Sequence, residues 1–433
     1  MFVLPKRRTE NGRFHRALWA LVIGGGILLN SESPCSGEPV LSCISGNCEA
    51  CHAPGGETLM LRRADPSSTC LLCHEAPQSA FQPQGHFNAT SQAVLNATLA
   101  PTQLTPAGDY GWLKRNFSWV GEDEKMERSP GERHGHNIVA ADYSYSADTT
   151  LRVAPGGTYP ASSLSCISCH DPHGNYRRSA DGTISPTGLP IIASGSYNTS
   201  PNPDASGSVR SYRMLAGNGY LPKSLPGTPF TADPPAAVAP STYNRSESAS
   251  ETRVAYGSGM SEWCQNCHSQ IHNGINTAGI GHPAGNNARF SARTMEVYNS
   301  YLKSADLSGV ASNSYTSMVP FEMGTNDYAL LKSTANSDGS NLAGPGTAGD
   351  TPNVMCLSCH RAHASGWDSM TRWNMNSTML VYKSRYPGID NGAPARYAQG
   401  RTETEVRKTF YDRPAGRYAG HQRSLCSKCH ARD

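Results

Sequence analysis

Apolar residues recur at helical spacing in only two short places along this chain. Met295, Tyr298, Tyr301 and Leu302 share one face over residues 291–304, which predicts a helix there, and a second is predicted from Glu403 to Tyr411. Elsewhere regular structure should be sparse. The stretches 195–210, 225–250 and 334–352 are rich in Ser, Gly, Pro, Asn and Thr and read as loops. The one long apolar run, Ala17–Leu29, is interrupted by three glycines.

That run follows a basic segment carrying Lys6, Arg7, Arg8, Arg13 and Arg16, and precedes Asn30-Ser31-Glu32-Ser33-Pro34. It is short for a bilayer span and has the layout of an export signal, so residues 1–37 are assigned to a secretion signal, cleaved between 37 and 42. An uncleaved anchor is the alternative. Arg7-Arg8 lacks the hydrophobic residue a twin-arginine signal expects, which favours passage as an unfolded chain. Cys35 leaves with the signal, and Cys43 stays as a lone thiol. No later segment has the length and apolarity to cross a membrane. Residues 38–433 are then expected as one unit working beyond the cytoplasm, at the cell surface or outside the cell.

Composition sets a problem. Charged residues make up 16% of the 433 residues and the AVILMFWYC set 37%, with 42 Gly and 30 Pro. A chain of this length cannot build a large side-chain core from so little apolar material. Removing residues 1–37 takes away five Lys/Arg and two Asp/Glu, which cancels the formal charge of +3. No clustered basic stripe is present, which excludes a nucleic-acid-binding reading.

The cysteines answer the problem. Twelve of the fourteen fall in six copies of Cys-x-x-Cys-His: Cys48/Cys51/His52, Cys70/Cys73/His74, Cys166/Cys169/His170, Cys264/Cys267/His268, Cys356/Cys359/His360 and Cys426/Cys429/His430. Two thiols three positions apart can form thioethers to the two vinyl groups of one haem, and the adjacent imidazole then sits over the iron. A bare Cys-x-x-Cys would suit a zinc knuckle or a redox dithiol, but a histidine follows at every copy. Six haem c groups are therefore expected to serve as the core, coupling folding to cofactor attachment. Each motif is expected to open a helical turn. The loops should wrap over the haems, with flexible surface segments as the alternative. About twelve propionate charges would make the loaded protein acidic. Motif starts lie 22, 96, 98, 92 and 70 residues apart, which argues for one continuous haem-strung unit and against a repeat array.

Six irons with two axial ligands each need six further donors. Besides His15 and the six proximal histidines, eight remain: His86, His134, His136, His173, His272, His282, His363 and His421. His173 and His363 follow a proximal histidine by three residues, and His272 by four. None can reach the opposite face of its own porphyrin, so each is expected to bind a neighbouring haem and fasten the two together. Loops supply the other three, with His86, His136 and His282 chosen and His134 and His421 held in reserve. The twelve methionines compete for one such position, and an all-bis-His set implies low potentials. Arg177, Arg178, Arg361 and Arg372 are candidate propionate partners, or solvated charges.

Longer blocks carry a resemblance. Gly131-Glu132-Arg133 with His136-Asn137-Ile138-Val139, Ala154 to Pro160, Cys166 to Arg178, Pro234 to Arg245, Arg253 to Asn273, Cys356 to Arg372 and Cys426 to Asp433 together resemble the OmcS-type hexahaem cytochromes. The resemblance covers most of residues 105–372 and the last dozen. It implies a loop-rich subunit with short α-helices, all irons bis-His, and haems stacked in a row of alternating parallel and T-shaped pairs. It also implies head-to-tail extracellular filaments that take electrons from other cytochromes to minerals, electrodes or cells. In that family a histidine three residues after the first proximal histidine ligates a haem of the next subunit. Here Gly55 stands at that position, so the haem of Cys356, Cys359 and His360 is expected to take its sixth ligand within the chain, with His421 or His134 as candidates.

The leading expectation is an electron conduit with no substrate chemistry of its own. A monomeric periplasmic shuttle differs from it by assembly alone. A multihaem reductase would need an open iron face and a proton donor, and the histidine surplus argues against one. A surface protein using haem only as a staple is the remaining alternative.

Overall fold

The helix predicted over 291–304 forms as Ala292–Ser300, its first turn capped by Ser291, whose hydroxyl accepts from the Thr294 N–H at 3.1 Å. Tyr298 is fully buried. The chain leaves the helix earlier than predicted because Tyr301 turns extended, placing its hydroxyl to accept from the Gln422 side-chain amide at 2.8 Å. Leu302, expected on the buried face, is exposed as a result. The second predicted helix forms as Glu403–Thr409 behind a capping box. Glu405 N–H donates to the Thr402 hydroxyl at 3.2 Å and Thr402 N–H donates to the Glu405 carboxylate at 2.8 Å. It stops short of Tyr411, which with Asp412 takes the left-handed conformation.

This computed structural model describes residues 48–53, 60–74, 100–101, 106–225, 227–240, 253–271, 283–335, 344–346 and 351–430. The signal segment 1–37, Cys35, Cys43 and Gly55 lie outside them. All belong to one unit, residues 34–433. No helix among them is long and apolar enough to cross a membrane.

Loops dominate, and the described helices reach nine residues at most. One correction concerns 195–210, expected as a loop. Ser208–Arg210 is an inner strand of a four-stranded sheet ordered Ile184–Ser185, Arg177–Arg178, Ser208–Arg210, Ile191–Ala193, the last pair parallel. Val209 is fully buried on it. Another short ladder, Ala237–Val238 with Ala255–Tyr256, interrupts the loop expected over 225–250. The side-chain core that does exist is largely aromatic: Phe290, Tyr298, Tyr315 and Phe321 meet edge to face or tilted, and Tyr386 stacks on Phe410 at 5.0 Å.

Four of the six Cys-x-x-Cys-His motifs form a helical turn of their own, at Cys48–Cys51, Cys166–Ser168, Cys356–Cys359 and Leu425–Lys428. The other two close a helix. Pro66–His74 starts earlier because Pro66 is suited to the first turn and the Asp65 carboxylate accepts from Ser68 N–H at 2.7 Å. Met260–Cys264 ends at the first cysteine of its motif. These two early starts decide where the motifs touch.

Candidate haem centres

The described cysteines are all free of disulfides, and their contacts string the motifs together in chain order. Cys51 lies near Cys73 and Cys70, Cys70 near Cys166, Cys169 near Cys267 and Cys264, Cys264 near Cys356, and Cys359 near Cys426 and Cys429. Each contact joins one motif to the next along the row. The Cys166 contact and then burial raise the Cys70 thiol, while burial pushes Cys267 up to about 11 and both Cys359 and Cys429 up to about 12. In a haem-bearing protein these sulfurs would be thioethers, so what matters is where they are placed.

At the third and fifth motifs the chain builds the same device twice. The hydroxyl of the serine between the cysteines, Ser168 or Ser358, accepts from the N–H preceding the motif, at 2.9 Å from Ser165 and 3.1 Å from Met355. The proximal imidazole then pairs through Nδ1 with a backbone oxygen, His170 with Arg213 and His360 with Ser369, each at 2.9 Å. Arg213 and Ser369 both sit in the left-handed region at φ 54° and 57°, each followed by a left-handed methionine. His268 pairs with the Pro155 oxygen at 2.8 Å. An Nδ1–H held this way leaves Nε2 as the lone-pair donor that an iron requires.

Two further histidines face these rings. The His136 ring centroid lies 6.2 Å from that of His268, and the His363 centroid 6.3 Å from that of His170. A metal about 2 Å from each of two opposed imidazole nitrogens sets the centroids about 6 Å apart. His136 holds its Nδ1 to the Ala362 oxygen at 2.7 Å, as a proximal ligand does. Burial lowers His170, pushes His136 and His74 down to about 4 and pushes His363 down to about 3, so these rings are neutral, the form that ligates. His363 follows His360 by three residues yet faces the third motif, two places along the row.

The other candidates are placed differently. His134 is fully buried with both ring nitrogens engaged, Nδ1 with the Trp112 oxygen at 3.0 Å and Nε2 with the Ser129 hydroxyl at 2.8 Å. His421 is exposed against the edge of Tyr382. His173 is exposed, 3.8 Å from Asp171. His86, His272 and His282 lie outside the described residues. Among the arginines, Arg361 donates to the Pro106 oxygen, Arg372 to the Ser317 oxygen, Arg178 to the Gly182 oxygen and Arg177 to the Leu189 oxygen. They tie loops together through carbonyls.

The donor set fits haem better than a bare ion. Among the described residues no three His, Cys, Asp or Glu side chains converge on one point, whereas opposed imidazoles flank two gaps beside paired thiols. Sequence reasoning missed Ser67, Ser261 and the left-handed acceptors Arg213 and Ser369, because nothing local marks any of them.

No family model matches the chain. It is 49% identical over 405 residues to the C-type cytochrome OmcS of Geobacter sulfurreducens, covering 89% of this chain and 92% of that protein. Its structure matches OmcS nanowires from that organism solved by cryo-EM, with TM-score 0.78, 47% identity, and coverage of 89% of this chain and 98% of that one. It also matches the Outer Membrane Cytochrome S Filament at TM-score 0.79, 47% identity, covering 90% and 100%.

Proposed function

Because the chain belongs to the family of the c-type cytochrome OmcS, we propose that it conducts electrons along a row of six haem c groups, one at each Cys-x-x-Cys-His motif. The row follows chain order. Its proximal ligands are His52, His74, His170, His268, His360 and His430, and its distal ligands His86, His136, His173, His272, His282 and His363. The observation that carries this reading is the spacing of His136 against His268 and of His363 against His170.

Bound haem supplies reversible one-electron chemistry. The chain does the rest. The cysteine contacts suit that order of centres, the backbone carbonyls hold the imidazoles, and burial favours their neutral form. Nothing in this assignment calls for a substrate pocket.

Assembly head to tail into extracellular filaments extends the reading, with other cytochromes as donors and external oxides or electrodes as acceptors. Two filament structures match nearly the whole chain. The two exposed motif thiols are Cys48 and Cys426, which stand at the two ends of the row. Gly55 favours a second reading, a dispersed shuttle, because it removes the histidine that the family uses across subunits. The test is a haem count and negative-stain microscopy of secreted protein. Six covalent haems, a low-spin ferric spectrum and thin filaments are expected. Dispersed particles select the shuttle, and a reduced form that binds carbon monoxide readily reinstates a reductase.

A further inference from the structure

At both places where first cysteines meet, a buried serine bridges the two motifs. Ser67 stands three residues before Cys70, and its hydroxyl accepts from the Cys166 N–H at 3.1 Å, across 99 residues of chain. Ser261 stands three residues before Cys264, and its hydroxyl accepts from the Cys356 N–H at 3.0 Å, across 95 residues. Both serines are fully buried.

The partner N–H is the same in each case. Cys166 and Cys356 are the first residues of their helical turns, where backbone N–H groups have no carbonyl one turn back. Inside each motif the capping serine, Ser168 or Ser358, takes the preceding N–H, and the cysteine's own N–H is met from the neighbouring motif. A buried orphan N–H is costly, and the neighbouring motif's serine satisfies it. The helices that begin before the second and fourth motifs are what carry Ser67 and Ser261 to these points.

We infer that Ser67 and Ser261 are positioning residues that lock the second centre against the third and the fourth against the fifth. The inference rests on the haem-row reading. A single buried hydrogen bond favours one arrangement of a joint over its alternatives by roughly five-fold. Each serine therefore acts on the distance and angle between two neighbouring haems, while no iron loses a ligand.

The experiment compares secreted, haem-loaded protein with Ser67→Ala, Ser261→Ala, the corresponding Ser→Thr variants and Ser68→Ala. Ser68 is equally buried, but its hydroxyl is bonded to Asp65, away from the cysteine joint. Three readings are taken: haem count, ferric spin state and the Soret circular-dichroism couplet, which reports coupling between adjacent haems. Each Ser→Ala variant should keep the parent haem count and low-spin spectrum while the couplet falls. Threonine should restore it, and Ser68→Ala should leave it unchanged. Couplets of both alanine variants that superimpose on the parent's overturn the inference and leave the haem row standing. A parent without covalent haem overturns the row itself. If alanine blocks maturation, recovery of haem and couplet by threonine upholds the role of the hydroxyl. Failure of both assigns the serines to folding alone and overturns it.

Discussion

His136 and His363 stand back to back. The His136 N–H donates to the His363 oxygen at 2.9 Å, while their imidazoles lie against His268 and His170. In the proposed haem row, one short stretch of paired backbone thus serves the fourth and third centres together. Replacing either histidine by alanine should convert about one haem in six from low-spin to high-spin and open that iron to carbon monoxide. The two variants should differ in which centre changes, and the double variant should add. A low-spin spectrum in either single variant, at full haem content, rules out that histidine as a ligand.

His134 provides the contrast. Its two nitrogens are committed to Trp112 and Ser129, and Arg401 donates to the same Ser129 hydroxyl at 3.0 Å. His134→Ala should leave every iron low-spin and lower unfolding stability by about 1–3 kcal/mol, since two buried polar groups lose a partner. His421→Ala, at an exposed position, should change neither. Denaturant unfolding beside the ferric spectrum separates the two outcomes, and high-spin haem in either variant would make that histidine an iron ligand in place of one of the six distal histidines proposed above.

The contrast also marks what a sequence can reveal. Thioether attachment is local chemistry, so Cys-x-x-Cys-His marks all six proposed attachment sites. The helices at Ala292–Ser300 and Glu403–Thr409 follow from periodicity and capping, again local. A proximal histidine's partner is not local: His363 passes over the adjacent centre, and only the fold decides which iron it faces. Ser67 and Ser261 are ordinary serines until a chain segment some hundred residues away brings its N–H to them. The order proposed for the centres rests on which thiols lie near one another, which no local pattern reveals. The inner strand at Ser208–Arg210 was hidden because its apolar content is a single valine.

Backbone strain gives a third test. Glycine is the usual residue at positive φ, yet Ser369 holds φ 57° and presents the oxygen that pairs with His360 Nδ1. Ser369→Gly should raise stability by up to about 1 kcal/mol and leave the fifth centre unchanged. Ser369→Val should cost roughly 1–2 kcal/mol or more, because a β-branched side chain resists this conformation. It should also alter the electron paramagnetic resonance of one low-spin haem as the imidazole loses its anchor. Matching spectra in the parent and the valine variant would show that the carbonyl does not orient His360.

Glu322 supplies the pH dependence. It is fully buried in the loop that pairs with Asn353, and burial, then the neighbouring Glu262, push its carboxyl up to about 8 from the ordinary 4.5. The sign follows from proton counts. Between pH 4.5 and 8 the folded protein holds a proton on Glu322 that the unfolded chain has released, so stability is lost as pH rises through this window and levels off above it. The loss is on the order of 5 kcal/mol. Glu322→Gln keeps the neutral shape and removes the ionisation. The variant should match the parent near pH 5, exceed it at pH 9 by a few kcal/mol, on the order expected for this shift, and show a flatter decline between. Thermal unfolding of the haem-loaded protein at pH 5, 7 and 9 checks this, and parallel declines in the two proteins would place the alkaline sensitivity elsewhere.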